Sequence, residues 1–296
     1  MSVDKKKIAK ISYNGKKSKN TDLNSTDRSK NKLVFKNKEN YDMSEALIDI
    51  PDEIARANIS AFIGCDSNYF NYAKALIASI HIKEPSWKIY FYGINLTKQQ
   101  KNEIKNLKTL KDHIFESKEF NNNKQRILYA QTNRFYALSG LMHKYKNDNE
   151  IILFLDADAI LQNKVSSRVK NRLAQCDICM NYRNTKDEGR KYLAGVILIK
   201  NNKKTRTLFN DVVTLISSSR LFDYMDQYCI YKAIEKNKTN LSFLAGNDLY
   251  LMTRSNSFND ENKKAFFFCF RPTLRRQKVL SDKMKYLIKY YHSNLI

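Results

Sequence analysis

From residue 58 onward the apolar positions fall into short runs that alternate with helically spaced segments. Ile59-Ser60-Ala61-Phe62-Ile63-Gly64 reads as a first strand, and Cys65-Asp66-Ser67-Asn68-Tyr69 as the loop after it. Ser67 or Asn68 can cap the next helix, whose apolar face carries Tyr69, Tyr72, Ala73, Leu76, Ile77 and Ile80. Lys88 to Gly93 forms a second strand, and Thr97-Lys98-Gln99-Gln100 is a capping box opening a helix expected to reach about Lys111. A short third strand is placed at His113 to Phe115, and a helix from Thr132 to Lys146 follows. Ile151-Ile152-Leu153-Phe154-Leu155 is then an unbroken apolar run, the pattern of a strand buried on both faces, and it stops at Asp156. This alternation predicts an α/β fold with a mostly parallel, doubly wound sheet flanked by helices. Right-handed crossovers put the Cys65 to Tyr69 loop on the same edge as Asp156.

Asp156 and Asp158 are one residue apart, so in extended chain both point to one spot at the strand's carboxyl end. Paired carboxylates repel, and a shared proton or a cation relieves them. Hard ions such as Mg²⁺ or Mn²⁺ take carboxylate oxygen and bring phosphates with them. The carboxyl edge of a parallel sheet is also where open α/β folds bind ligands. A loop of two solvated aspartates is the alternative.

Composition narrows the classes without choosing among them. The 296 residues include 42% apolar ones, ample for a core. The net charge of +23 would draw the chain to polyanions. However, only 7 Gly and 3 Pro accompany abundant Asn, Ile, Tyr and Phe, a bias that AT-rich coding produces by itself, so charge alone assigns no partner. No specific nucleic acid is expected, because the lysines are spread along the chain without a recognised binding motif. Five cysteines and no secretory signal point to reduced thiols and a cytoplasmic protein. Cys176 and Cys179 lack a second Cys or His pair nearby that would complete a zinc site. No stretch approaches the roughly 18 apolar residues of a membrane span. Residues 1–45 form a basic arm without apolar periodicity and are expected to be disordered. Residues 46–296 carry the alternating pattern and are expected to form one domain, with halves at 58–160 and 161–296.

The strand ending in Leu155-Asp156-Ala157-Asp158-Ala159, preceded by the helical Asn133-Arg134-Phe135-Tyr136-Ala137-Leu138, resembles the nucleotide-sugar half of GT-A glycosyltransferases. It is most similar to the glycogenin-like and lipopolysaccharide galactosyltransferase-like retaining families. Tyr192-Leu193-Ala194-Gly195-Val196-Ile197-Leu198-Ile199 resembles the family strand that begins with Ala-Gly beside the donor sugar, and Asp226-Gln227 the pair that opens a later helix. The match covers roughly residues 58 to 236. Leu193 stands where the family usually has Asn. The late histidine that completes the metal shell is not evident; Cys269 occupies about its place, with Asp248 and His292 as other candidates.

The resemblance implies a GT-A-like fold and a metal-dependent transferase moving a sugar from a nucleotide diphosphate, a UDP-sugar first, to a glycan, glycolipid or protein hydroxyl. Asp158 would bind Mn²⁺ or Mg²⁺ directly, with Asp156 sharing the ion or nearing the ribose and Ala157 between them. Cys65, Asp66 and Tyr69 would hold the uracil or ribose; a helix-capping loop is the alternative for them. Arg134 would meet the diphosphate or anchor an acidic group. Ala194 and Gly195 would line the donor sugar, or Gly195 would ease a bend in its strand. Asp226 and Gln227 would face the anomeric carbon, although Asp also suits a plain helix N-terminus. A haloacid-dehalogenase-type phosphohydrolase, which also ends a strand in Asp-x-Asp, and a basic nucleic-acid-binding protein are the alternatives. In the C-terminal third, Leu241 to Gly246 and Ala265 to Phe270 read as strands and Arg271 to Lys278 as a basic loop. Asp282 to His292 is a basic amphipathic helix that either docks on the body or lies on the cytoplasmic face of an anionic membrane.

Overall fold

The computed structural model describes residues 50–146, 149–245, 250–251, 265–269 and 278–296. The basic arm at 1–45, the loop at 271–277 and Asp248 lie outside the described residues. A short helix α1 (Asp52–Ala55) precedes strand β1 (Asn58–Asp66). Then come α2 (Phe70–Lys83), β2 (Lys88–Ile94), α3 (Lys98–Lys105), β3 (Leu110–Glu116), α4 (Asn123–Lys144) and β4 (Glu150–Asp156). The second half has β5 (Ala159–Leu161), α5 (Ser166–Gln175), β6 (Ile178–Tyr182), a 3₁₀ turn at Glu188–Arg190, β7 (Tyr192–Lys200), α6 (Lys203–Ser218) and α7 (Met225–Asn237). It closes with β8 (Phe243–Ala245), β9 (Tyr250–Leu251), β10 (Phe267–Cys269) and α8 (Lys278–Asn294).

Seven strands form one sheet in the order β3-β2-β1-β4-β7-β6-β8. Its pairs are parallel except where β7 runs against both β4 and β6. The sheet continues across residue 160, so both halves of the domain share it. From β1 the chain passes to β2 on one side, and β4 adds on the other side of β1. The sheet order therefore switches direction between β1 and β4, which opens a crevice at their carboxyl ends. Side-chain alternation sorts the central strands onto two cores. Ala61, Ile63, Ile151, Leu153 and Leu155 pack toward α2, α5 and α8, whereas Phe62, Ile152 and Phe154 pack toward α4, α6 and α7. Asp156 shares the parity of Ile152 and Phe154, so the strand ends with its carboxylate on the α4 side.

Several boundaries differ from the sequence expectation. Helix α3 stops at Lys105 rather than near Lys111, because Leu110–Glu116 pairs with β2 and a backbone used in a ladder cannot also close helical turns. Helix α4 starts nine residues before Thr132, capped by Asn122, whose Oδ1 accepts from Gln125 N at 2.9 Å. Neither Ser67 nor Asn68 caps α2. The N-cap position, Tyr69, has no side-chain cap hydrogen bond, and Asp66 orders the loop before the helix, its Oδ1 accepting from the backbone N–H of Asn68 at 2.9 Å and of Tyr69 at 3.1 Å. The C-terminal strand splits off into a three-stranded sheet, β5-β10-β9. Helix α8 docks on the body with Leu287, Tyr291 and Leu295 buried, so its apolar face is occupied by protein. Among the described residues no helix is long and apolar enough to cross a membrane. Cys65, Cys176, Cys179 and Cys229 are buried.

Candidate active site

A cavity of about 340 Å³ opens at the switch point. The loop after β1 gives it Cys65, Asp66 and Tyr69, and the end of β4 gives it Asp156, Ala157 and Asp158. Helix α4 contributes Arg134, the start of β7 Ala194 and Gly195, and the start of α7 Asp226 and Gln227. Apart from the third-ligand candidates Cys269, Asp248 and His292, these are the site residues that the sequence and its resemblance nominate, drawn from five segments to one hollow.

The antiparallel course of β7 explains how Ala194 and Gly195 arrive. Its first residues sit at the edge where the parallel strands end, and Val196 is the last residue paired with β4, opposite Leu155. Across from β6 the register jumps from Met180↔Ile197 to Asn181↔Leu193, so Ala194 and Gly195 stand out in a bulge. The strand irregularity and the place in the cavity lining thus fall on the same two residues.

Arg134 is the buried cation of the site. Its Nη1 donates to Asp156 Oδ1, its Nη2 lies 3.4 Å from Asp226 Oδ2, and its Nε donates to Gln131 O at 3.1 Å. The guanidinium also lies 4.6 Å from the ring centroid of Phe154. Gly64 makes room for it, since a Cβ there would lie 3.3 Å from Arg134 Cβ. Arg134 therefore anchors two acidic groups at once. Burial pushes the Asp226 carboxyl up from its ordinary range, opposed by the charge of Arg134. Burial works against the charge of Arg134, but Asp156 and Asp226 outweigh it and hold the guanidinium above its usual value. Burial, with Asp66 adding to it, raises the Cys65 thiol well above the ordinary range, so Cys65 stays protonated. Gln227 Oε1 is buried without a hydrogen-bond partner among the described residues. Beneath this group, Glu116 accepts from the hydroxyls of Tyr92 and Tyr129 and from Asn133 Nδ2 at 2.8 Å, fixing α4 to the sheet.

Carboxylate oxygens are the donors that a hard divalent ion takes. Asp156 and Asp158 offer carboxylate oxygens at the cavity wall, although Oδ1 of Asp156 already meets Arg134. Among the described residues no cluster of three or more His, Cys, Asp or Glu could hold a metal ion. Diphosphate and water would have to fill the remaining positions, as is usual for Mg²⁺. Cys269 lies in register with Ala159, next to Asp158 along the chain. His292 is elsewhere: its Nε2 lies 3.2 Å from Lys74 Nζ, and it does not line the cavity.

The sequence reading missed Ile127, Ala130 and Gln131, because it began their helix at Thr132. Their spacing of three, four and seven from 127 to Arg134 marks one helical face and would have found them. It also missed Arg183, after a strand it did not place, and Tyr224. Tyr224 adopts a left-handed backbone (φ 64°, ψ 21°) at the cap of α7, and the Arg190 guanidinium lies 4.3 Å from its ring centroid. No simple sequence signal marks such a residue.

No protein-family model matches the chain, and no curated protein matches it by sequence. Solved structures do match. The apo bifunctional glycosyltransferase WbbM superposes with a TM-score of 0.54 at 12% identity, over 81% of this chain and 50% of that one. The galactosyltransferase LgtC, in complex with donor and acceptor sugar analogues, gives 0.51 at 13% identity, over 79% and 95%. The apo form of GlyE from Streptococcus pneumoniae TIGR4 gives 0.51 at 11% identity, over 80% and 63%. The chain thus spans half of the first of these proteins and under two thirds of the third. This chain has the GT-A-like α/β fold shared by these glycosyltransferases, with its cavity at the switch point of the sheet.

Proposed function

We propose that the chain is a metal-dependent glycosyltransferase that moves a sugar from a nucleoside diphosphate, UDP first, to a hydroxyl of a glycan, glycolipid or protein, with retention at the anomeric carbon. The observation that carries this reading is the convergence of Asp66, Arg134, Asp156, Asp158, Gly195, Asp226 and Gln227 on one cavity. The superposed LgtC structure, which holds donor and acceptor sugar analogues, supports the same two ligands here.

In the reaction the bond from the anomeric carbon to the β-phosphate oxygen breaks, a bond to the acceptor oxygen forms, and the acceptor's proton leaves with the diphosphate. A divalent ion held by Asp156 and Asp158, the latter as the direct ligand, would stabilise the charge growing on the diphosphate. The protein's own groups then divide the work. Asp66 and the Tyr69 ring bound the nucleoside end. Gly195 has no side chain to keep the sugar from the backbone. Arg134 holds Asp156 and Asp226 in fixed relation, so the Asp226 carboxyl faces the positive character that builds at the anomeric carbon. The carbonyl of Gln227, without a hydrogen-bond partner among the described residues, accepts from a donor-sugar hydroxyl or lies against the same carbon.

The test is a panel of nucleotide sugars with Mn²⁺ and the purified chain. Donor hydrolysis or transfer is expected for at least one, with Asp158→Asn lowering kcat by about a hundredfold or more and weakening Mn²⁺ binding. Turnover of no donor by the wild type, or an unchanged D158N, overturns the proposal.

A further inference from the structure

Asp66 stands where the nucleoside of the donor would sit, and the protein already fills most of its acceptor directions. Oδ1 takes the backbone N–H of Asn68 and Tyr69. Oδ2 takes Nη1 of Arg126, on the first turn of α4. Of the roughly four lone-pair directions of a carboxylate, three are therefore used, and the direction left for a ligand is set by the others. Arg126 is itself clamped. Its Nε and Nη2 donate to Asn123 Oδ1 at 3.1 and 2.6 Å. With the Asn68 amide turned so that its oxygen faces the guanidinium, it accepts from Nη1 at 2.6 Å and from Nη2 at 3.1 Å. Arg126 thus fastens the loop after β1 to a helix 60 residues further on while staying outside the cavity lining. The Asp66 side chain is only 6% exposed, so it has little solvent to turn into once the fork is closed.

We propose that Arg126 is a positioning residue for the donor's nucleoside, acting through Asp66. It fixes the carboxylate so that one acceptor direction faces the cavity and meets a ribose hydroxyl or a base N–H of a nucleoside diphosphate. This rests on the nucleotide-sugar reading above. A planar fork gripping Asp66 and Asn68 together is work for arginine; a lysine ammonium holds a single point and leaves the carboxylate free to rotate. Because Arg126 lies outside the lining, its effect should be confined to the nucleoside and leave the diphosphate end untouched.

Calorimetric titration of the full chain with UDP, and separately with inorganic pyrophosphate, each with Mn²⁺, separates the two ends. Arg126→Gln is expected to weaken UDP about tenfold, the scale of one charge-assisted hydrogen bond, with pyrophosphate changed less than about twofold. Arg126→Lys should recover only part of the loss. In an Asp66→Asn background, Arg126→Gln should cost no further UDP affinity, as a pair acting together requires. Equal losses for UDP and pyrophosphate, which a general distortion of α4 would give, overturn the proposal. So does an undiminished effect in the Asp66→Asn background. Should R126Q fail to fold, Asn123→Ala removes the support of the guanidinium from the exposed side and must show the same selective loss; a loss shared by pyrophosphate overturns it equally. A wild-type chain that binds none of UDP, ADP and GDP sinks the nucleotide reading itself. UDP binding that R126Q leaves intact sinks this inference alone.

Discussion

Replacing Arg134 with Met keeps most of the stem's bulk and deletes the cation between Asp156 and Asp226. In the native protein the Arg134 side chain is 9% exposed, that of Asp226 6% and that of Asp156 29%. Breaking a buried ion pair by removing one partner costs about 3–5 kcal/mol, because the other charge stays buried without compensation. Asp156 can recover some hydration, which places the expected loss near the lower end, about 3 kcal/mol. At roughly 2–4 °C per kcal/mol for a chain of this size, Tm should fall by about 6–12 °C. The loss should also depend on pH, and its sign follows from Asp226, whose carboxyl is already raised above its ordinary range by burial. A carboxyl raised in the folded state contributes stability fully present below its unfolded pKa of about 3.9, and lost as pH rises through the folded value. Deleting Arg134 removes what opposes that shift, so the window extends upward. The gap between R134M and wild type should be small near pH 4 and widest near pH 7. The double variant Arg134→Met with Asp226→Asn should recover part of the loss at pH 7. Thermal unfolding across this range is the assay. A melting temperature unchanged in R134M, or a deficit that stays constant between pH 4 and 7, would refute the reasoning.

Other perturbations follow from the same structure. Asp177→Asn should cost about 1.5–3 kcal/mol at pH 7, because Asp177 Oδ2 accepts from Ser242 N at 2.9 Å and Oγ at 2.7 Å. Although burial acts the other way, those bonds and Asn202 hold the Asp177 carboxyl below its ordinary range. The contribution is therefore present above the unfolded pKa and lost as pH falls through the folded one, and chemical denaturation of D177N and wild type should converge in acid. Tyr291→Phe should raise Tm slightly, since the buried Tyr291 hydroxyl has no partner among the described residues and an unsatisfied polar group costs about 1–3 kcal/mol; a lower Tm would show that the hydroxyl is bonded. Gly64→Ala should destabilise by about 1–3 kcal/mol and lower donor affinity, because the new Cβ would press on Arg134 Cβ at 3.3 Å; calorimetry with UDP and a denaturant melt together check it.

The residue pattern alone set the alternation of strands and helices through Asp156, because periods of two and 3.6 residues are local properties of the chain. It also determined that Asp156 and Asp158 end a doubly buried strand, since five large apolar residues in a row have few other places to go. The roles expected of Ala194-Gly195 and Asp226-Gln227 came from resemblance, and nothing in the spacing of Ala194-Gly195 tells that β7 runs antiparallel and delivers that pair to the cavity edge. Folding alone brings Arg134 to face Asp156 and Asp226 together, and Arg126 to reach Asp66 across 60 residues of sequence. The early start of α4 went unread because a polar first turn of Asn, Lys, Gln and Arg has almost no apolar period, and it is packing against the sheet, with Asn122 as cap, that stabilises it. Local patterns write the elements; which charges meet is settled by the packing that brings distant segments to one edge of the sheet.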